Sequence, residues 1–253
     1  MCAHVVMVPQ IVIEEILKEI ERQNLARVTG EWPARVQPAP PSSPQPDRQL
    51  NIQLSLDLDS NLDPTSNPTP NQTLNPVPNT ALDPKTIKSA FPKSELPIIV
   101  PDAEAHLTTK VMTWGYHVSW SKQVVFNTRF DTATKPGRNM WAESLAERRC
   151  VVPTYGFYEP HKSETLINLR TNKINKQQYF FTSPTSAILF IAGVFEGDQF
   201  SLMTTEPNSV MLPIHNRMPV VLEPNELDTW LFGEYLSLED RSMVSIIATK
   251  KGT

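Results

Sequence analysis

Residue 2 of the chain is a cysteine. Removal of Met1 would leave Cys2 with an α-amine and a thiol on adjacent carbons, a 1,2-aminothiol that no internal cysteine offers. Its amine condenses with an aldehyde to an imine, and the thiol closes onto the imine carbon to give a five-membered thiazolidine. An α-amine titrates at about 7.7–8.0, so a useful fraction is nucleophilic near neutral pH. The same thiol could attack an acyl group in the manner of a protease nucleophile. Taken alone, Cys2 carries little weight, since every chain has a second residue. Four polar residues farther along have the types such a site requires. Asn127 and Arg129 end a strand and enter the loop NTRFDTATKPGR, Glu159 closes the apolar run GFYE before Pro160, and His215 lies in PIHNRMPVV. A carboxylate can take a proton from the amine and steady an iminium, and an imidazole can donate to a leaving sugar or amide oxygen. An amide and a guanidinium can hold a phosphate or a developing oxyanion. Each also has an ordinary reading: a hairpin-end carboxylate, a structural imidazole, a salt-bridged arginine.

The elements that must hold these residues are mostly strands. ELPIIV (95–100), VMTWGYHV (111–118), QVVFN (123–127), CVVPTYGFYE (150–159), QQYFFT (177–182), AILFIAGVFE (187–196) and FSLMTT (200–205) are rich in β-branched and aromatic residues and separated by turns. Helices are fewer. Residues 10–25 repeat apolar groups at Ile13, Ile16, Leu17 and Ile20, a second helix covers about 140–149, and a third follows Pro224 with Leu227, Trp230 and Leu231 as its apolar face. The pattern predicts an α+β fold with a curved antiparallel β-sheet or barrel core and a few peripheral helices.

Between Pro33 and Ala90 the composition changes. Twelve of the 24 prolines fall there, with no aromatic residue and no glycine, so the segment lacks the apolar surface to offset its ordering entropy. NPTPNQTL (67–74) is followed by NPVPNTAL (75–82), a tandem eight-residue unit. We read 33–90 as a disordered insertion with polyproline character, within one domain spanning 1–253. A docking site for a proline-reading partner is its alternative role.

Composition excludes several classes. No run of about 18 apolar residues exists, so no membrane span is expected. The start MCAHVVMVPQ has no basic region and does not read as a secretory signal. Two cysteines, Cys2 and Cys150, make neither a disulfide framework nor a cysteine-ligated zinc site, and they fit a reducing cytoplasm. The histidines lack metal-ligand spacing, and no glycine-rich phosphate loop or G-x-S-x-G elbow is present, so no metal or cofactor is expected. Net charge is −4, yet residues 110–149 carry seven basic residues (Lys110, Lys122, Arg129, Lys135, Arg138, Arg148, Arg149) against three acidic ones. They could form a basic face or a solvated surface of scattered charges.

Taken together, Cys2, WGYHVSW (114–120), FNTRFDTATKPGR (126–138), RRCVVPTYGFYEP (148–160), IAGVFE (191–196), LMTTEPNSVMLPIHNRMPVVL (202–222) and DTWL (228–231) resemble the SOS-response-associated peptidase (SRAP) family. The matching segments cover roughly residues 1–25 and 91–232. The resemblance implies a SRAP-like β-rich fold and binding to abasic sites in single-stranded DNA. It further implies Met1 removal, by autoproteolysis or by an aminopeptidase, followed by a covalent thiazolidine DNA–protein crosslink through Cys2. Cys2, Glu159 and His215 match the family's cysteine, catalytic glutamate and histidine, its DNA-contacting asparagine and arginine match Asn127 and Arg129, and its tryptophan near the bound strand matches Trp114. We also count Asn127 among the catalytic candidates, and Arg138 and Thr205 among the DNA-binding ones. A monomer in the cytoplasm, nucleoid-associated if bacterial, is expected. Departures stand beside the matches. Ala3-His4 replaces the usual Gly-Arg, weakening a phosphate contact, since histidine is mostly neutral at pH 7. AFPKSELP replaces a Tyr-Asn-x-Ala-Pro stretch, and Asp131, Pro160 and Asn216 stand for a usual Glu, Trp and acid. Two alternatives remain: a cysteine peptidase cleaving in trans, and a degenerate, non-covalent single-strand-binding module.

Overall fold

The structure, a computed structural model, describes residues 2–29, 88–137, 139–168 and 170–252, with side chains of the first helix described as far as Arg22. Residues 33–87 of the expected insertion and Arg138 lie outside the described residues. The last residues assigned to the insertion do belong to the fold: Ser89–Ala90 is a strand, and Ala90 is fully buried.

A closed circuit of five strands forms the core. Strands β1 (Val5–Met7) and β2 (Ser89–Ala90) come first in sequence and lie outside it. β3 (Glu95–Pro101) pairs with β4 (Leu107–Trp114). After the two-stranded ribbon of β5 (Tyr116–Val118) and β6 (Ser121–Val125) come β7 (Asn127–Arg129) and the 19-residue β8 (Arg149–Ile167). β9 (Ile174–Thr182), β10 (Leu189–Glu196) and β11 (Gln199–Thr205) follow, then three short strands, β12 (Met218–Pro219), β13 (Val221–Leu222) and β14 (Ile247–Lys250). Pairing runs β10–β11–β4–β3–β8 and returns to β10, which closes a barrel. Most pairs are antiparallel, as expected. The exceptions are β11 with β4 and β11 with β7, which run parallel.

Both faces of β8 in its barrel part, β10 and β11 are covered, which is why they read as nearly unbroken apolar runs, whereas β4 is largely exposed over Leu107–Val111. Ile98, Met112, Val152, Ile191 and Leu202, one from each strand of the circuit, belong to the inner cluster together with Cys150. Their neighbours Ile99, Val151, Phe190 and Met203 face outward and are covered by helices α1 (Gln10–Thr29), α3 (Ala142–Glu147) and α4 (Leu227–Phe232) through Ile13, Leu17, Leu145 and Trp230. Trp230 Nε1 also donates to the Cys150 carbonyl at 2.8 Å, tying α4 to β8. A four-residue helix, α2 (Phe130–Ala133), occupies the segment read from sequence as loop. At Gly115, φ is +115° and a Cβ would lie 2.7 Å from Val124, so WGYHVSW turns from β4 into β5 only with glycine there.

The length of β8 positions the site. Its first part, 149–154, pairs with β10 in the barrel, and its second part leaves the barrel to pair with β1 and β9. Glu159 therefore does not end a strand. β8 continues through Pro160, which pairs opposite Gln178, and the register shifts only beyond it. A proline is tolerated where the ladder is already irregular.

Candidate active site at the amino terminus

β1 brings the start of the chain against the second part of β8, with Val5 opposite Phe157 and the Tyr158 N–H donating to the His4 carbonyl at 2.9 Å. Cys2 is fully buried there. Asn127, at the start of β7, donates through Nδ2 to the Cys2 carbonyl at 2.8 Å. Asn127 Oδ1 is buried and has no hydrogen-bond partner among the described residues. Cys2 Sγ lies 4.0 Å from the His4 carbonyl oxygen.

Glu159 is fully buried, not the surface carboxylate of its ordinary reading. Burial pushes its pKa up to about 7, against the opposing charge and hydrogen bond of the amino terminus. Burial also raises the Cys2 thiol well above its ordinary value, and the nearby Glu159 charge adds to the rise. Half-buried His215 is displaced downward, first by desolvation, with the amino-terminal charge acting in the same direction. Its Nδ1 lies 2.9 Å from the Arg217 carbonyl and 3.2 Å from the Arg217 N–H, so the backbone of Arg217 fixes the ring. Cys2, Asn127 and Glu159 thus converge and His215 feels the same amino-terminal charge as Glu159, although the first and last of these residues lie more than 200 positions apart in sequence.

Arg217 itself was not legible as a site residue. It is 7% exposed, and its guanidinium bonds Glu206 at 2.7 Å, Asp131 at 2.9 Å and the Thr204 carbonyl at 2.7 Å. Asp131 in turn accepts from exposed Arg129 at 2.8 Å, and that bond holds its carboxyl below the usual range. One buried cation therefore links the histidine segment to the arginine expected to meet phosphate.

Two of the expected DNA contacts are misplaced. Trp114 is 0% exposed, its Nε1 donates to the Phe126 carbonyl at 2.9 Å and its ring stacks on Phe200, so it is a core residue with no face for a nucleotide. Thr205 is 2% exposed and donates to the Glu239 carbonyl at 2.6 Å. The tryptophan of WGYHVSW that reaches solvent is Trp120, 71% exposed in the turn between β5 and β6, where Ser119 and Ser121 flank it. The expected basic face is also thinned. Arg149 donates to the Leu145 and Leu231 carbonyls and stacks over Tyr235, and Arg148 pairs with Glu143.

The family model for the SOS response associated peptidase (SRAP) matches residues 57–250, most of the chain. The chain belongs to the SRAP family. Among its relatives, abasic site processing protein YoaM of Bacillus subtilis is 28% identical over 156 residues, covering 55% of this chain and 63% of that protein. An abasic site processing protein of Saccharomyces cerevisiae is 25% identical over 162 residues, covering 58% of this chain and 40% of its own. The match thus spans less than two thirds of either relative. The SRAP-like fold recurs in two crystal structures from Bordetella bronchiseptica. One has a TM-score of 0.51 at 18% identity, covering 65% of this chain and 87% of the other. The second, a phage-related protein, has a TM-score of 0.52 at 20% identity, covering 66% and 82%. No described helix is long and apolar enough to cross a membrane.

Proposed function

We propose that this chain processes abasic sites in single-stranded DNA and captures them covalently through Cys2 once Met1 has been removed. The observation that carries the reading is the 2.8 Å bond from Asn127 to the Cys2 carbonyl, which holds residue 2 at the buried Glu159. The names of the relatives supply the substrate class.

In this reading the Cys2 α-amine adds to the aldehyde carbon of the ring-opened sugar. The resulting carbinolamine loses water to form an iminium, and the thiol sulfur adds to the same carbon while its proton leaves. Aldehyde and aminothiol give thiazolidine plus one water. A carboxyl with a pKa of about 7 is divided between its two forms at neutral pH, so Glu159 can take the amine proton and return one to the departing hydroxyl. His215, in the neutral tautomer whose Nδ1 accepts from the Arg217 N–H, donates its Nε2 proton to the ring oxygen as the closed sugar opens. The open acceptor Asn127 Oδ1 receives a proton donor of the bound lesion or of the amine. Arg129 meets a backbone phosphate.

A peptidase acting in trans would need a thiolate, and the Cys2 thiol is held protonated by burial and by Glu159. The aminothiol route forms its bond after the amine has already tethered the electrophile. Incubation with an oligonucleotide carrying one abasic site, read on a denaturing gel, tests the proposal. A covalent band is expected from the wild type. It should be lost when one residue is inserted ahead of Cys2, because the amine then leaves the thiol's carbon frame. A band of unchanged yield from that insertion variant would overturn the mechanism.

A further inference from the structure

Next to the reactive cysteine, four rings form one row across four neighbouring strands. Phe91 follows β2, His4 precedes β1, Tyr158 lies in β8 and Phe180 in β9. Pairing places them side by side: Val5 is opposite Ala90, Tyr158 donates to the His4 carbonyl, and Tyr158 is opposite Phe180. Successive centroids are 4.4, 4.4 and 4.6 Å apart with interplanar angles of 29°, 21° and 32°. The row therefore repeats at close to the strand spacing of about 4.8 Å. Lys251 Nζ sits 5.0 Å from the Tyr158 ring centre. His4 Nε2 is engaged with Ser89 Oγ at 2.8 Å, and both faces of the imidazole are covered. His4 is thus built into a stack and does not serve as a phosphate ligand.

The row ends at the edge of the sheet. Among the described residues β2 is the last strand in the order, and Phe91 is 50% exposed with one face covered by His4, which leaves its outer face open among them. The backbone that carries the ring is also held. The Phe91 N–H donates to Ser94 Oγ at 3.1 Å, and the Ser94 N–H donates to the Phe91 carbonyl at 2.9 Å. A rigid aromatic face that continues a stack is a platform for a planar ring. His4 is two residues from Cys2, about 6.6 Å at the rise of an extended chain.

We infer that the outer face of Phe91 receives the nucleobase immediately flanking the abasic nucleotide, which becomes the fifth ring of the row. The inference rests on the proposed capture of abasic DNA. It makes stacking, not ion pairing, the device that seats the strand beside Cys2, and the contact is indifferent to salt and favours a purine for its larger face.

Equilibrium binding to oligonucleotides with a tetrahydrofuran abasic analogue tests it, because that analogue has no aldehyde and cannot crosslink. One strand keeps adenine on both sides of the analogue, and two others lack the base on one side or the other. For the wild type, removal of the base on one of the two sides should weaken binding roughly tenfold, as loss of one base–aromatic stack does. Phe91→Ala and Phe91→Leu should bind all three strands alike, and Phe91→Trp should restore the discrimination. Phe91 is half exposed, so melting curves of these variants should match the wild type. The inference is overturned if Phe91→Ala keeps the wild-type ratio, or if the wild type shows no ratio on either side. Crosslinking of the wild type to an aldehydic abasic strand is read separately. A missing covalent band would sink the capture proposal, whereas a band without a Phe91-dependent ratio would sink the stacking inference alone.

Discussion

Cys2 and Cys150 are both fully buried, both have thiols raised by desolvation, and both sit in one cluster of the core. Their neighbours differ. Cys150 lies on a barrel strand, so close to β10 that a Cβ on Gly193 would come within 2.9 Å of its sulfur. Burial alone raises its pKa. Cys2 has the same exposure but shares its surroundings with Glu159 and Asn127. Burial alone makes a thiol an inert packing group. Burial together with a carboxyl pushed to about 7, and with the amine that Met1 removal would leave on Cys2, is what the proposed capture of an aldehyde requires. The same low dielectric that silences Cys150 tunes Glu159.

Exchanging the two cysteines breaks the comparison most directly. Cys2→Ala should abolish the covalent product with abasic single-stranded DNA on a denaturing gel, and Cys2→Ser should give no stable adduct. Cys150→Ala should crosslink at the wild-type rate while losing stability in a thermal melt, roughly 0.5–3 kcal/mol for a core truncation. Equal loss of crosslinking in a folded Cys150→Ala would show that the two thiols are not separated in role.

The barrel was legible in the residues because β3, β8, β10 and β11 are rich in β-branched and aromatic residues and mostly buried. Its closure was not, since the pairings of β10 with β8 and of β11 with β4 join segments far apart in sequence. The expected catalytic set came from residue types within specific strings, and the structure places Cys2, Asn127 and Glu159 together, with His215 near the same end of the chain. Trp114 and Thr205 were misread because a motif does not say which of its residues face inward. The serines beside Trp120 were the available signal that this tryptophan occupies a turn. Arg217 and the ring row on His4 gave no local signal. The first depends on a guanidinium reaching residues 131 and 206, the second on β1 and β2, strands too short to show a period.

Glu159 sharpens the comparison at the next scale. Crosslinking by the wild type should rise with pH through about 7 as Glu159 loses its proton, then again as the amine does. Glu159→Gln should lose the lower rise and slow crosslinking about 10²-fold, the usual contribution of a positioned acid–base group, with DNA binding nearly intact. His215→Ala should slow the reaction on the closed-ring sugar by a similar factor. The stability effect has the opposite sign. Glu159 is raised in the folded state, so between pH 4.5 and about 7 the native protein binds the extra proton and stability falls as pH rises. Glu159→Gln should therefore melt higher than the wild type above pH 7, by up to an amount on the order of 3 kcal/mol, and the difference should vanish below pH 4.5. A wild-type melt that does not change across that window would contradict the buried-carboxyl account.

The smallest expected effect is at the rim. Arg129 is exposed and already paired with Asp131, so Arg129→Ala should weaken binding only a few-fold on every sequence. The slope of log affinity against log salt should become shallower by about 0.7, the value for one phosphate on a single strand. Crosslinking at saturating DNA should be unchanged.

The central claim is that the residue exposed by Met1 removal makes the bond. Mass spectrometry of the peptide attached to abasic DNA after nuclease and protease digestion measures it directly. The account predicts a single adduct on the peptide beginning at Cys2, without Met1, whose mass is peptide plus abasic fragment less one water. An adduct on a lysine or on Cys150, or one on a peptide that retains Met1, would contradict it.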